Sequence, residues 1–226
     1  MVSRLAIIPV SMDSKRLPGK PLMMIDGKTI IQRVYEQVDG LFDRTIIVTA
    51  DDEVIDHVIS FAEVFVATEA HINGSEACAE VARFFPGFDI IINVQGDKPF
   101  VSRQALDMLK SWNGNTEMAT LVYPILDIDQ DNQNRVKVIL IGDQAVDYSR
   151  DRRITEWQSG GVYAYTRAFL QTYSKLSQTT RERELHLEQL RTLDNKYQIT
   201  AFKIDEKLIS IDCQADLDNA QKKIQK

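Results

Sequence analysis

The sequence predicts an α/β protein in which a single domain, residues 1–226, is built on a mostly parallel, Rossmann-like sheet with helices on both faces. Through the first half of the chain, short apolar runs rich in β-branched residues alternate with segments whose apolar residues recur at helical spacing. Such alternation is typical of parallel strands covered by helices. The 226 residues are enough for one sizeable core, and no repeat or low-complexity linker divides them.

The elements of the first half follow from this pattern in order. Residues 5–10 form an apolar run that ends in a Pro-containing loop, and residues 29–38 repeat isoleucine and valine at the spacing of one helix face. Further strands are predicted at 45–49, 64–66, 90–94 and 118–123, and further helices at 54–61, 77–85 and 104–112. Because ligands of such sheets bind beyond the carboxyl ends of the strands, the loops after Val10, Val66 and Val94 are the candidate site.

The second half of the chain is less regular. Strands are predicted at 136–141, 161–165 and 197–204, a polar loop at 150–158, and helices at 184–193 and 213–226. The two helices are predicted because leucine, alanine and isoleucine recur there at helical spacing.

Composition and charge exclude several classes of protein. The net charge of −6 argues against a nucleic-acid partner. No apolar run reaches the roughly 18 residues that a membrane span needs, and the N-terminus lacks a signal-peptide pattern, so we expect a cytoplasmic protein without a membrane partner. Cys78 and Cys213 form no CxxC pair, and the three histidines form no zinc-binding pattern.

A basic loop follows the first predicted strand. It contains Lys15, Arg16 and Lys20, and the Pro18-Gly19 turn would let its backbone approach a ligand closely. A triphosphate needs such cations and exposed N–H groups around its oxygens. The segment matches neither the Walker A nor the GxGxxG pattern. A phosphate-binding loop and a solvated surface loop therefore both remain open.

Two aspartates are candidate ligands for magnesium. Asp97 follows the buried strand at 90–94, where a carboxylate could hold Mg²⁺ beside phosphate oxygens, although Gly-Asp also occurs in ordinary turns. Asp212 precedes the last predicted helix, where it could be a simple N-cap or a second carboxylate on the same metal. Sequence spacing alone does not bring the two aspartates together.

A series of short motifs runs in order along nearly the whole chain. It consists of IIPVSMDSKRLPGKPL at 7–22, NVQGDKP at 93–99, MATL at 118–121, VKV at 136–138, YSR at 148–150, GVYAY at 161–165, LEQLR at 187–191, and ID at 211–212 with ADL at 215–217. In this order the motifs resemble the CMP-Kdo synthetase (3-deoxy-manno-octulosonate cytidylyltransferase) family. SKRLPGK alone would also fit sialic-acid CMP synthetases, whereas LEQLR and NVQGD favour the Kdo branch.

The resemblance implies a fold of the nucleotide-diphospho-sugar transferase type and a magnesium-dependent transfer of CMP from CTP to a 3-deoxy sugar acid. Carried onto this chain, it places Arg16 and Lys20 on the triphosphate with Ser14 as a further donor, Asp97 and Asp212 on Mg²⁺, Gln95 beside the nucleotide or the sugar, and Glu188, Gln189 and Arg191 on the sugar acid. Lys20, Asp97 and Asp212 would form the catalytic set. The resemblance also implies a homodimer, with residues 118–180 as the dimerisation and sugar-site region.

Several positions depart from the family pattern. The family has Arg at the positions of Ser11 and Ala77 and near Thr68, Glu at Lys98, and His at Ser159. Losing three hydrogen bonds to charged groups would cost roughly 4–9 kcal/mol unless other residues replace them. Lys15 and Lys98 are the candidate replacements. The departures leave open a transferase for another sugar acid or nucleotide, and a catalytically silent paralogue that binds nucleotide or a protein.

Overall fold

The computed structural model describes residues 2–14 and 16–224. The strands are β1 (Arg4–Pro9), β2 (Met24–Ile25), β3 (Lys28–Thr29), β4 (Arg44–Thr49), β5 (Glu63–Val66), β6 (Ile90–Val94), β7 (Met118–Pro124), β8 (Lys137–Ile141), β9 (Gln144–Ser149), β10 (Trp157–Thr166) and β11 (Ile199–Lys203). The helices are α1 (Ile30–Val38), α2 (Asp52–Val58), α3 (Gly74–Phe84), α4 (Arg103–Ser111), α5 (Asp127–Gln130), α6 (Arg167–Tyr173), α7 (Thr180–Leu185), α8 (Gln189–Asp194) and α9 (Gln214–Ile224). A 3₁₀ turn covers Lys20–Leu22. In these ranges we find no helix that is long and apolar enough to cross a membrane.

The main sheet is mixed, which corrects the prediction of a mostly parallel one. Its nine strands in the described ranges run in the order β5-β4-β1-β6-β10-β7-β11-β9-β8. β5, β4, β1 and β6 are parallel, as the alternating first half predicts. β10 is antiparallel to both β6 and β7, and β8 and β9 form an antiparallel hairpin. Strands and helices do not alternate in the second half of the chain, because β8 and β9 are joined by a tight turn rather than by a crossover helix.

Helices cover both faces of the sheet, as predicted. On one face, a core cluster contains apolar side chains from α1, α2 and α4, and on the other face a second cluster contains side chains from α3, α6 and α8. Successive residues of β1 alternate between the clusters: Ala6 and Ile8 face the first, Leu5 and Ile7 the second. This strand is therefore buried on both sides, which explains its continuous apolar run.

The prediction of one continuous helix at 184–193 is wrong, because the structure has two short helices, α7 and α8, in this region. α7 begins with a capping box between Thr179 and Glu182, and it ends at His186, whose backbone is left-handed with φ 53°. α8 then begins after Glu188. The leucine spacing suggested one continuous helix, but the turn at His186 redirects the chain so that Glu188 and Gln189 reach the surface of a cavity.

Other differences lie in the second half. β9 and α6 were not predicted, and β10 begins at Trp157 within the expected loop at 150–158. β10 also changes neighbours along its length. Trp157 pairs with β8, whereas Val162 pairs with β6, and the register against β7 shifts between Ser159 and Tyr163. This β-bulge opens the sheet beside the end of β6, and bulges are often found next to active sites.

Candidate active site

Two adjoining cavities in the described part of the chain lie along the carboxyl ends of the strands. The larger has a volume of about 580 Å³ and lies over the ends of β1, β4 and β6. The smaller, of about 410 Å³, lies over the bulge of β10 and the start of α8. Lys20, Gln95 and Asp97 line both cavities. A ligand in one cavity and a ligand in the other would therefore meet at these three side chains.

The basic loop is held in place at both ends. Met12 N donates to Asp51 Oδ2 at 2.8 Å, which ties the start of the loop to the end of β4. Leu17 packs in a small apolar cluster with Ile25, Ile211 and other side chains, which ties the loop to the segment before α9. The described residues at the two ends of the loop therefore have fixed positions, and Lys20 is presented to the cavities.

Gly96 brings the ends of β1 and β6 close together. A Cβ at this position would lie 2.9 Å from Val10 Cγ2 and 3.0 Å from the carbonyl oxygen of Pro9. Since the second contact is with backbone, only glycine fits without a shift of the main chain. The sequence between Gln95 and Asp97 is therefore packed directly against the start of the basic loop.

Lys20 lies between the two predicted metal ligands. Its Nζ donates to Asp97 Oδ2 at 2.9 Å and lies 4.0 Å from Asp212 Oδ1. The two aspartates come together because Ile211 N donates to the carbonyl oxygen of Asp97 at 3.0 Å, which sets the segment before α9 beside the end of β6. The structure thus places all three members of the predicted catalytic set in one cluster.

Arginines surround Asp212 on its other side. Arg16 donates to Asp212 Oδ1 at 2.9 Å, and the Arg135 guanidinium lies 3.7 Å from Asp212 Oδ2. The carboxylate that accepts from the backbone N–H groups of Asp212 and Cys213 is that of Asp216. Asp212 is therefore directed into the cluster of charges, while Asp216 satisfies the backbone ahead of α9.

The carboxylates of this cluster fit a hard divalent cation. Asp97 Oδ1 is buried and accepts no hydrogen bond from any described residue. Burial alone would raise the pKa of Asp97, but the ammonium groups of Lys98 and Lys20 outweigh it and hold that pKa below its ordinary value. No group of three or more His, Cys, Asp or Glu side chains in the described ranges could hold a metal alone. Two carboxylates suffice for Mg²⁺ when phosphate oxygens and water complete the set.

Glu188 and Gln95 form a polar wall of the smaller cavity. Glu188 accepts from Gln95 Nε2 at 3.1 Å and from Ser75 Oγ at 2.7 Å and N at 3.1 Å. Burial raises the pKa of the Glu188 carboxyl, although the hydrogen bonds from Ser75 act in the opposite direction. Gln189 also lines this cavity and donates to the hydroxyl of Tyr163. These contacts fix the orientation of groups that can hydrogen-bond the hydroxyls of a ligand.

Two predicted ligands lie elsewhere. Arg191 is 1% exposed and donates to Glu182 at 2.7 and 2.8 Å and to Glu76 at 2.8 Å. Its guanidinium is thus engaged behind the cavity wall rather than on the cavity surface. Ser14 borders neither cavity, and its backbone N–H donates to Met12 O. The predictions for these two residues as direct ligands find no support in their positions.

Sequence reasoning gave no role to other residues that line the smaller cavity. Arg135 and Arg150 both border it, as does Asn134, whose Oδ1 accepts from Arg16 at 2.7 Å. Arg150 donates to the backbone carbonyls of Leu185, Gln133 and Asn134. Arg150 is part of the YSR motif, and Arg135 directly precedes VKV. Their closeness to these motifs was the one sequence signal that could have indicated a place in the site.

The departures from the family pattern fall on both cavities. Ser11 and Ala77 line the larger cavity, and Lys98 and Ser159 line the smaller. Thr68 instead donates from its N–H to Glu80 at 2.9 Å. Lys15, the other candidate replacement, lies outside the described residues.

Comparison with known proteins agrees with this geometry. The α/β fold, with a basic loop and paired carboxylates beside the end of β6, fits a nucleotidyltransferase, and the model of the cytidylyltransferase family matches residues 5–209. The 3-deoxy-manno-octulosonate cytidylyltransferase of Parabacteroides distasonis is 33% identical over 97% of each chain, and that of Fusobacterium nucleatum is 35% identical over 95% of this chain and 94% of the relative. The chain belongs to the 3-deoxy-manno-octulosonate cytidylyltransferase family, which confirms the resemblance of its motifs.

Solved structures give the same result. A CMP:2-keto-3-deoxy-manno-octonic acid synthetase complexed with CTP superposes with a TM-score of 0.87 at 29% identity, covering 99% of this chain and 98% of that one. The inositol-1-phosphate CTP transferase of T. maritima has a TM-score of 0.72 at 16% identity, over 100% of this chain and 98% of that one, and shares the fold.

Proposed function

We propose that this protein transfers CMP from CTP to 3-deoxy-manno-octulosonate (Kdo) or a closely related sugar acid and releases pyrophosphate. The observation that carries the proposal is the cluster of Lys20, Asp97 and Asp212 at the junction of two cavities. A transfer reaction needs its two substrates to meet at one charged centre, and positioning them there supplies much of the rate enhancement.

The distribution of charge supports a separate cavity for each of the two substrates. The larger cavity is bordered by several carboxylates, including those of Asp51 and Glu69. Among its described lining residues, Lys20 is the one lysine or arginine. This cavity therefore suits the nucleoside, with the triphosphate directed toward the shared edge. There Lys20 and Arg16 neutralise the phosphate oxygens. The smaller cavity, with Gln95 and Glu188 on its wall, takes the sugar acid.

In this arrangement the anomeric hydroxyl oxygen of the sugar forms a bond to the α-phosphorus of CTP. The bond from that phosphorus to the bridging oxygen breaks, so that pyrophosphate leaves, and the hydroxyl proton is released to solvent. The negative charge that grows on the phosphoryl oxygens is stabilised by the Lys20 ammonium, which is held in place by Asp97 and by the carbonyl oxygen of Ile211. Gln95 and Glu188 orient the sugar hydroxyls through the hydrogen-bonded wall described above.

The proposal includes a magnesium ion held by Asp97 and Asp212. Support comes from the buried Oδ1 of Asp97, which accepts no hydrogen bond from any described residue, and from the ability of carboxylates to share Mg²⁺ with phosphates. When bound, such an ion would offset phosphate charge and lower the pKa of the attacking hydroxyl. We place the reaction in the cytoplasm, where nucleoside triphosphates are made.

The test is release of pyrophosphate from the purified protein with Mg²⁺, Kdo and each nucleoside triphosphate in turn. We expect release with CTP and little with the other nucleotides. If no pyrophosphate is released with Kdo, the same assay with other sugar acids separates a transferase for another acid from a silent paralogue. Release with another acid would reassign the substrate, whereas nucleotide binding without any release would indicate a silent paralogue.

We also propose a homodimer formed through the β8–β9 hairpin. Ile141 is 71% exposed, and Ile139 and Val146 are 40% and 41% exposed at the same edge of the sheet. Beyond Val138, β8 has no second neighbour within the described sheet. A free edge with apolar side chains is a surface that a second copy can cover symmetrically.

Ile141→Lys should therefore shift the protein from dimer to monomer. The substitution would place a charged ammonium group in the apolar interface, which costs binding free energy. Sedimentation velocity at micromolar concentration measures the shift from dimer to monomer. Ile59→Lys is the matched control, because Ile59 is 67% exposed after α2, away from this hairpin. A wild-type protein that sediments as a monomer would refute the proposed dimer.

A further inference from the structure

Lys98 is a buried cation on the surface of the smaller cavity. It directly follows Asp97, and the residue is only 6% exposed. Its ammonium donates to Ser210 Oγ, and its nearest carboxylate oxygen in the described ranges, Asp97 Oδ1, lies 3.7 Å away. A buried ammonium is costly unless an anion compensates it. The arrangement therefore leaves charge available for an anionic ligand.

The other cations of this cavity are more fully neutralised. Arg16 and Lys20 each have a carboxylate oxygen at 2.9 Å, and Arg135 has one at 3.1 Å. Arg150 is the exception, since the contacts found for it are to backbone carbonyls. Lys98 and Arg150 are thus the two candidates for an anionic group on the sugar, and a test must separate them.

The backbone around Lys98 is shaped to hold its ammonium. Gly161 lies in the bulge of β10 with φ 66°, and a Cβ there would come 2.8 Å from Lys98 Cε and 2.9 Å from Nζ. The absence of a side chain at Gly161 leaves the space that the ammonium occupies. The lysine is therefore seated between the bulge and Asp97, at the border of the proposed reaction centre.

The chemistry of the substrate makes this position informative. In a 3-deoxy-2-ulosonic acid the carboxylate is bonded to the anomeric carbon, which also bears the attacking hydroxyl. A residue that binds the carboxylate therefore fixes the place of that hydroxyl. Lys98 contacts the same aspartate as Lys20, so a carboxylate on Lys98 would set the hydroxyl beside the phosphate-binding cluster.

We propose that Lys98 binds the carboxylate of the sugar acid and is a specificity-determining residue of this protein. The inference rests on the proposed function. It also gives a physical meaning to the replacement of the family's Glu by Lys, which changes the charge of the cavity wall by two units and turns a group that would repel a carboxylate into one that attracts it.

The test compares Kdo with its neutral C1 carboxamide as acceptors for the wild type and Lys98→Met. A hydrogen bond to a charged group is worth roughly 10- to 150-fold, so the wild type should prefer the acid by about that factor in kcat/KM. In K98M the preference should disappear, mainly through a higher KM for Kdo, while the KM for CTP stays unchanged. Because the readout is a ratio within one variant, partial loss of folded protein does not affect it.

Two further variants make the result decisive. Lys110→Met, on the exposed face of α4, should keep the wild-type ratio. If K98M keeps the ratio, or if Arg150→Met alone abolishes it, the inference is wrong. Should the wild type show no turnover with Kdo or with any related sugar acid, the proposed function fails separately, and calorimetric titration of the acid and the carboxamide into wild type and K98M then measures the corresponding ratio of affinities. Equal affinities of the two compounds for the wild type, or binding of neither, would also overturn the inference.

Discussion

Asp97→Asn is expected to lower kcat for pyrophosphate release by about three orders of magnitude, in line with the loss of one preorganised electrostatic group. The substitution keeps the shape of the side chain but removes the charge that holds Lys20 at 2.9 Å. It also removes a carboxylate from the proposed magnesium site. Because the pKa of Asp97 lies below its ordinary value, the wild-type carboxylate is ionised throughout the neutral range, so the comparison is between a full charge and none.

The control for this prediction is Asp107→Asn, which makes the same chemical change on the exposed surface of α4. It should leave kcat unchanged. Raising the Mg²⁺ concentration should restore little activity to D97N, and a thermal melt would show whether the variant remains folded. Activity of D97N within tenfold of wild type would place the reaction centre elsewhere in the cavities.

The parallel half of the fold could be predicted because its signal is local. β1, β4 and β6 are buried on both faces, so their sequences are continuous apolar runs, and α1 and α4 carry one apolar face each. The direction of β10 could not be predicted in this way. Whether a strand runs parallel or antiparallel to β6 depends on how the chain returns to the sheet, which no local pattern records.

The same distinction applies to the site. Asp97 could be proposed from the strand that precedes it, but Asp212 is joined to the cluster only through the fold, since its contact with Arg16 spans 196 positions of sequence. Lys98 was a departure from a motif, and its burial against Gly161 depends on a bulge in a distant strand. Arg191 shows the converse. Its motif predicted a contact with the substrate, whereas in the fold its guanidinium forms ion pairs with Glu76 and Glu182.

Arg191→Met should lower the free energy of unfolding by about 3–5 kcal/mol, the usual cost of removing one partner from a buried ion pair. Arg191 forms a two-pronged pair with Glu182, which is itself only 2% exposed, and its guanidinium stacks 4.5 Å over the ring of Tyr173. Without the guanidinium, the Glu182 carboxylate would be left buried with no cation. Denaturant unfolding followed by circular dichroism measures the loss.

Two comparisons show whether uncompensated charge is the cause. Arg183→Met, on the exposed side of α7, should change stability by less than about 0.5 kcal/mol. The double variant Arg191→Met/Glu182→Gln should recover part of the loss, because it removes the stranded carboxylate while Gln can still accept the N–H of the capping box. The prediction is wrong if R191M unfolds like the wild type and raises the KM for the sugar acid. Arg191 would then be the substrate ligand that its motif implies, and its ion pairs with Glu182 and Glu76 would not be what stabilises α7 and α8.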